Sequence, residues 1–144
     1  MNNSLSKFSD WGMLLLRIGS GLIFIFIHGL GKINGGPELW VRLGGAMSNF
    51  GINFLPEFWG FMAAFAEFFA PMFIILGLLF RPATFILTCN MIVATSVHLS
   101  RLDPWGKVAY PLMMVIVFAS MFIIGPGRFS IDQLIKNRKQ KKEN

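Results

Sequence analysis

Thiols are almost missing from this chain: Cys89 is its one cysteine. A lone thiol excludes an internal disulfide, a dithiol redox cycle and a metal site built of several thiolates. Charge is scarce as well. Only 14% of the 144 residues are Asp, Glu, Lys or Arg, against about 25% in a soluble domain, whereas 54% are hydrophobic. No flavin, nucleotide or iron–sulfur motif is present, so any electrons the protein handles must travel on a partner or a bound small molecule. The internal repeats with paired broken helices that mark many transporters are also missing.

In their place stand long apolar runs, with 16 Phe, 9 Met and a mean hydropathy of +0.60. This composition describes an integral membrane protein with one small all-α bundle. The formal net charge is +6, and much of the excess sits in the last nine residues, KNRKQKKEN. That placement suits an anionic membrane surface and a topology signal, and no nucleic-acid partner is expected.

The stretch from Trp11 to Lys32 is apolar enough for lipid yet carries Arg17, His28 and Lys32. At about 100° per residue, His28 lies roughly 20° beyond Arg17 after three turns, and Lys32 follows His28 by i,i+4. All three share one stripe with Ser20, Gly21 and Phe24, while Ile23, Phe26 and Ile27 cover the other faces. Ionisable groups in a bilayer face a bundle interior or a wet cavity, so this stripe should point at other helices. The run ends in HGLGK without a small-x-small cleavage site, which reads as an uncleaved first span.

Four spans are expected, at about 11–32, 59–80, 83–99 and 108–125, in a single domain covering 1–144 with a basic tail at 128–144. Residues 33–58 break at two Gly-Gly pairs and at Pro56, and their uncharged run is too short to cross a bilayer; they predict a short interfacial helix or re-entrant lid that closes one end of the bundle. In the second span, Pro71 frees the carbonyl of Glu67, which makes a bent and polar place. A tight connection is expected at Arg81 and Pro82. The third span puts Asn90, Ala94 and His98 on an i,i+4 ladder, with Arg101 three residues beyond. The fourth carries no charge and reads as a packing or lipid-facing helix. After Gly125, Pro126 and Gly127, the spacing of Ser130 and Gln133 predicts a capping box, with Phe129 and Leu134 as its staple, opening a short amphipathic C-terminal helix.

An even number of spans puts both termini on one side. That side collects nine of the thirteen Lys and Arg, leaving Lys32, Arg42, Arg101 and Lys107 opposite. The positive-inside rule then places the termini in the cytoplasm and His28, Lys32, His98 and Arg101 at the outer end.

Taken in order, LLLRIGSGLIFIFIHGLGKI at 14–33, the AEFFAPMFIILGLLFRPAT stretch with Glu67 and Arg81, MIVATSVHLSR closing the third span, and GPGRFSID at 125–132 resemble the DoxX family of small four-helix membrane proteins. The resemblance covers nearly the whole chain. It implies an oxidoreductase-associated protein of the bacterial or archaeal cytoplasmic membrane. Family roles include oxidation of sulfur compounds feeding quinone and complexes that handle thiol and oxidative stress.

From the residues, a polar pocket is expected in the outer half, walled by His28, Lys32, Glu67, Asn90, His98 and Arg101, with Arg17 below reaching toward Glu67. Glu67 lies roughly 12 Å deep at 1.5 Å per residue. Glu67, His28 and His98 are the candidate catalytic groups, because both residue types exchange protons near neutrality in such surroundings. Arg17, Lys32, Asn90 and Arg101 are the candidate cofactor-binding residues, Phe24 and Phe65 would flank a ring, and no metal ligands are assigned. The bland readings are a structural Glu67–Arg17 pair, Lys32 and Arg101 as interfacial anchors, and Asn90 as interhelical glue. No cofactor is assigned from the residues, and quinone is the first candidate. Bis-histidine haem ligation by His28 and His98 is one alternative, and a non-enzymatic small-molecule binder or assembly anchor is another. The expected partners are the lipid bilayer, a soluble or membrane redox protein, and a second copy in a homodimer.

Overall fold

Residues 3–143 are described in a computed structural model of the chain. Helix α1 (Asn3–Ile23) runs on through a π-helical turn (Phe24–Gly29) into α2 (Leu30–Ile33). A short helix α3 (Gly36–Gly44) and a 3-10 segment (Gly45–Phe50) follow. Then come α4 (Pro56–Leu76), α5 (Phe80–Ser100), α6 (Trp105–Ile124) and α7 (Ile131–Glu143). The described residues contain no strand. Four helical stretches, Phe8–Ile33, Pro56–Leu76, Phe80–Ser100 and Trp105–Ile124, are long and apolar enough to cross a bilayer. The fold is therefore the expected all-α membrane bundle, with α3 as the interfacial helix between the first two spans and α7 as the C-terminal helix.

The core is thin, as four helices allow. Phe24, Ile74, Phe80, Leu87, Phe118 and Met121 pack between the spans, while Phe26, Ile27, Ile116 and Ile123 face outward. In lipid such outward apolar side chains carry no penalty, and close packing holds the helices together. Glycines supply the closest approaches. A Cβ on Gly44 would run into the backbone of Pro56, and one on Gly60 into the backbone of Trp40, so α3 lies directly on the start of α4. Hydroxyls within the third span are satisfied locally: Thr84, Thr88 and Thr95 each donate to the carbonyl four residues back.

At the end of the bundle that carries the chain termini, Arg17 ties three elements together. Its side chain is 1% exposed. Nε donates to the Ile74 carbonyl at 2.8 Å and Nη2 to that of Ile75 at 2.6 Å, while Nη1 donates to Pro126 and Phe129 at 3.0 and 2.8 Å. The first two acceptors lie in the last turn of α4, where the Ile74 carbonyl also takes the Gly77 N–H. The Phe80 ring lies below the guanidinium, 5.9 Å from its carbon. Gly77, at φ +64°, gives room: a Cβ there would come within 2.5 Å of Arg17 Nη2. Around this knot, Asp132 accepts the backbone N–H groups of Leu79 and Phe80 at 3.0 Å, and Asp10 accepts that of Arg128 at 2.9 Å.

Three expectations change here. Arg17 does not reach toward Glu67; it is held at the terminal end by four carbonyls. The second span ends at Leu76, not at Phe80, because Gly77 takes the left-handed conformation and its N–H closes back on Ile74. The turn is thus Gly77–Leu79, and Arg81 and Pro82 lie in the first turn of α5, where proline is tolerated. The capping box forms by half. Ser130 Oγ accepts the Gln133 N–H at 3.2 Å, but the Gln133 amide donates onward to Asn137.

Arg17→Ala removes four hydrogen bonds, leaves the Ile75, Pro126 and Phe129 carbonyls without the guanidinium, and should lower stability by roughly 3 kcal/mol or more, at about 1–3 kcal/mol for each buried group left unmade. Arg17→Lys should recover only part, since an ammonium lacks the planar fork. Thermal unfolding in detergent, followed by helical circular dichroism, measures both.

Candidate functional site

Beneath the interfacial helix, at the end opposite the termini, Glu67 comes from the middle of α4 and is 2% exposed. Its two oxygens have different partners from different spans. Lys32, in α2, meets Oε2 at 2.5 Å, and Asn90, in α5, donates to Oε1 at 2.8 Å. Lys32 keeps 30% of its side chain accessible, so the pair is buried from the carboxylate side and open from the ammonium side.

The backbone around Glu67 is equally specified. Pro71 removes the N–H that would cover the Glu67 carbonyl. Gly29 fills that place: a Cβ there would come within 2.5 Å of the carbonyl oxygen. First and second spans therefore touch backbone to backbone beside the carboxylate, and two turns earlier Gly21 makes room for the Ile75 side chain. Gly12, Gly19 and Gly31 meet nothing comparable.

Above Glu67 lies a cavity of about 760 Å³. Lys32, Glu67, Asn90, His98 and Arg101 all line it, joined by Arg42, Ser48 and Asn49 from the connection between the first two spans. That connection is fastened as a lid. Trp40 Nε1 donates to the Lys32 carbonyl at 2.9 Å, and the Asn49 amide donates to Ser96 and Ser100 hydroxyls at 3.2 and 3.4 Å. At the end of the third span, His98 Nδ1 lies 2.8 Å from Oδ2 of Asp103, just beyond the helix. The hydrogen bond from His98 holds the Asp103 carboxyl below the usual aspartate range, and the charges of Lys107, His98 and Arg101 act in the same direction.

The cavity is electropositive. Among the described residues the ion pairs are Lys32–Glu67 and His98–Asp103, so Arg42 and Arg101 face the space without a carboxylate. Such a wall can donate hydrogen bonds to carbonyl or anionic oxygens.

Of the residues expected to form the site, five share this cavity and two do not. Arg17 lies at the terminal end. His28 belongs to the π-helical turn, whose extra residue breaks the register of the i,i+4 stripe. It points to the fourth span, where Nε2 and the Tyr110 hydroxyl lie 2.6 Å apart and the rings stack at 5.2 Å. His28 and His98 thus have separate partners and do not line one cavity, which removes the common space that bis-histidine haem ligation needs. Phe24 is in the core against Phe118, and Phe65 stacks on Phe69 along the exposed side of α4, so neither flanks the cavity. Sequence reasoning missed Arg42, Ser48, Asn49 and Tyr110. Tyr110 did carry a signal: it is the one tyrosine beside 16 phenylalanines, a ring chosen for its hydroxyl.

The DoxX family model matches residues 12–99, from the first span to the end of the third. The matched region includes Lys32, Glu67, Asn90 and His98. Neither a curated protein nor a solved structure matches the chain.

Lys32→Met leaves a buried carboxylate without its cation. The expected loss is about 3 kcal/mol, the low end for a broken buried pair because Lys32 is partly exposed. Lys32→Met combined with Glu67→Gln should regain at least about 1 kcal/mol of it, and a double-mutant cycle of melting in detergent reads the coupling. Strict additivity would show the two groups to be independent.

The Asp103 contact predicts a pH dependence. A carboxyl whose pKa is lowered by folding stabilises the fold above the unfolded value, about 3.9, and the contribution disappears as pH falls through the lowered folded value. Asp103→Asn should therefore lower the melting temperature at neutral pH and leave it unchanged once the medium is acidic enough to protonate Asp103 in the wild type.

Proposed function

Because the chain belongs to the DoxX family, we propose that it is an oxidoreductase-associated membrane subunit whose lidded cavity takes the head of a quinone. The observation that carries this reading is the Glu67 carboxylate, 2% exposed, on the floor of a cavity walled by hydrogen-bond donors from two spans and the lid. Lys32 and Asn90 stand at the floor, and Arg101 and His98 at the mouth. One carbonyl of a bound quinone accepts from each group of donors. Reduction to the quinol takes up two electrons and two protons. Both protons would come from the aqueous medium by way of the partly exposed Lys32 and the Glu67 carboxylate beside it, and a redox protein in the membrane or at its surface would deliver the two electrons. With the termini in the cytoplasm, as the distribution of Lys and Arg favours, the cavity lies in the outer half of the membrane.

A second reading rests on Arg42 and Arg101, which line the cavity without a carboxylate partner. It makes the protein a binder of a small oxyanion without electron transfer.

Titration of the purified protein with a short-chain quinone, followed by tryptophan fluorescence, separates the two, since Trp40 sits on the lid. The first reading expects saturable quenching and a Kd raised at least about tenfold, roughly 1.4 kcal/mol, by Glu67→Gln or Arg101→Ala. Quinone quenching that is the same in the wild type and both variants overturns it. Saturable binding of inorganic sulfate, lost in Arg42→Ala and Arg101→Ala, would then decide for the second.

A further inference from the structure

A second cleft, of about 810 Å³, lies at the terminal end, far from Glu67. Its walls are the first turn of α5, the Gly125–Gly127 turn and the first two turns of α7. Three cations line it: Arg81, Arg128 and Lys136. One carboxylate, Asp132, shares the wall, and both its oxygens already accept backbone N–H groups, from Leu79 and Phe80. None of the three cations takes part in an ion pair among the described residues. All three are exposed. Like charges gathered around one space repel each other, and an anion in that space relieves the repulsion.

The scaffold under these charges is fixed. Arg17 holds the carbonyls of Pro126 and Phe129, and Asp10 holds the N–H of Arg128. A Cβ on Gly125 would lie 4.0 Å from Arg81 Nη2, so the guanidinium extends over the turn itself. Depth supplies the second half of the argument. The cleft begins where the spans stop, at Leu79 and Ile124, which are 58% and 64% exposed. An apolar rim toward the bilayer with cations immediately beyond it is the arrangement of the headgroup layer.

We propose that the cleft between Arg81, Arg128 and Lys136 binds the phosphate of an anionic phospholipid, whose acyl chains run along the exposed faces of α5 and α6. The phosphate oxygens accept from the two guanidinium groups and the ammonium. Asp132 orders the wall without competing for them. The bound lipid bridges α5, α6 and α7 at the level of the Arg17 knot. The site stands apart from the Glu67 cavity and does not depend on what that cavity holds.

Native mass spectrometry of the full-length protein released from detergent tests this, first on the wild type with equimolar phosphatidylglycerol and phosphatidylcholine. The expected result is a retained phosphatidylglycerol adduct, preferred at least about fivefold. The variant R81Q/R128Q/K136Q should abolish the preference, at about 1 kcal/mol or roughly fivefold for each cation near the surface. K139Q/K141Q/K142Q, in the tail beyond the cleft, should leave it unchanged. Equal adducts of the two lipids on the wild type overturn the proposal. A preference that survives in the cleft variant and disappears in the tail variant also overturns it, assigning the effect to the diffuse basic tail. Displacement of phosphatidylglycerol by an equal concentration of inorganic phosphate would show a free-phosphate site and reject the lipid as its occupant.

Discussion

A bilayer offers no partner to a charge, and that constraint orders the whole molecule. Each ionisable group carried into the spans has to be met by the protein itself, or it costs more than a bundle of this size can bear. Arg17 is met by four backbone carbonyls, and Glu67 by a lysine and an asparagine. These two solutions fix which helices touch. Arg17 requires α1 to lie beside the end of α4 and beneath the turn before α7. Glu67 requires α2, α4 and α5 to meet at one level.

The two ends of the bundle use these charges differently. Four hydrogen bonds occupy four of the five donors of the Arg17 guanidinium, and its side chain is sealed from its surroundings. A group so fully committed holds structure and has little left to offer a ligand. Glu67 has two partners for about four acceptor positions, and one of those partners is itself partly open to a cavity. Its surroundings are pre-built yet unfinished, which is the condition for binding or proton exchange.

Much of this could be seen in the sequence, for definite reasons. Apolar runs of about 20 residues mark spans, and a Gly- and Pro-broken stretch too short to cross marks an interfacial helix. The outer halves of successive spans carry Lys32, Glu67, Asn90, His98 and Arg101, and these meet around one cavity because in a bundle of four a polar residue has few places to hide. Arg17 was misplaced for an equally definite reason. Its acceptors are carbonyls, which every residue carries, so nothing in the sequence distinguishes Ile74, Ile75, Pro126 and Phe129 as its partners. Glu67 was the one acidic residue in reach of the eye. Gly77 misled in the same way: only its left-handed conformation, not its presence, ends α4.

The misreading of His28 has the most to say about the site. A straight α-helix puts His28 and Lys32 on one stripe, and both were expected to face Glu67. The π-helical turn separates them, sending His28 to Tyr110 on α6 while Lys32 stays with Glu67 on α4. This turn lies where Gly29 covers the carbonyl that Pro71 sets free, so one local distortion answers another across the interface. Two consequences follow from the same residues. The first span comes close enough to α4 for Lys32 to reach a buried carboxylate. The histidine that would have crowded the cavity is turned away from it, which leaves the space above Glu67 to the lid, His98 and the two arginines.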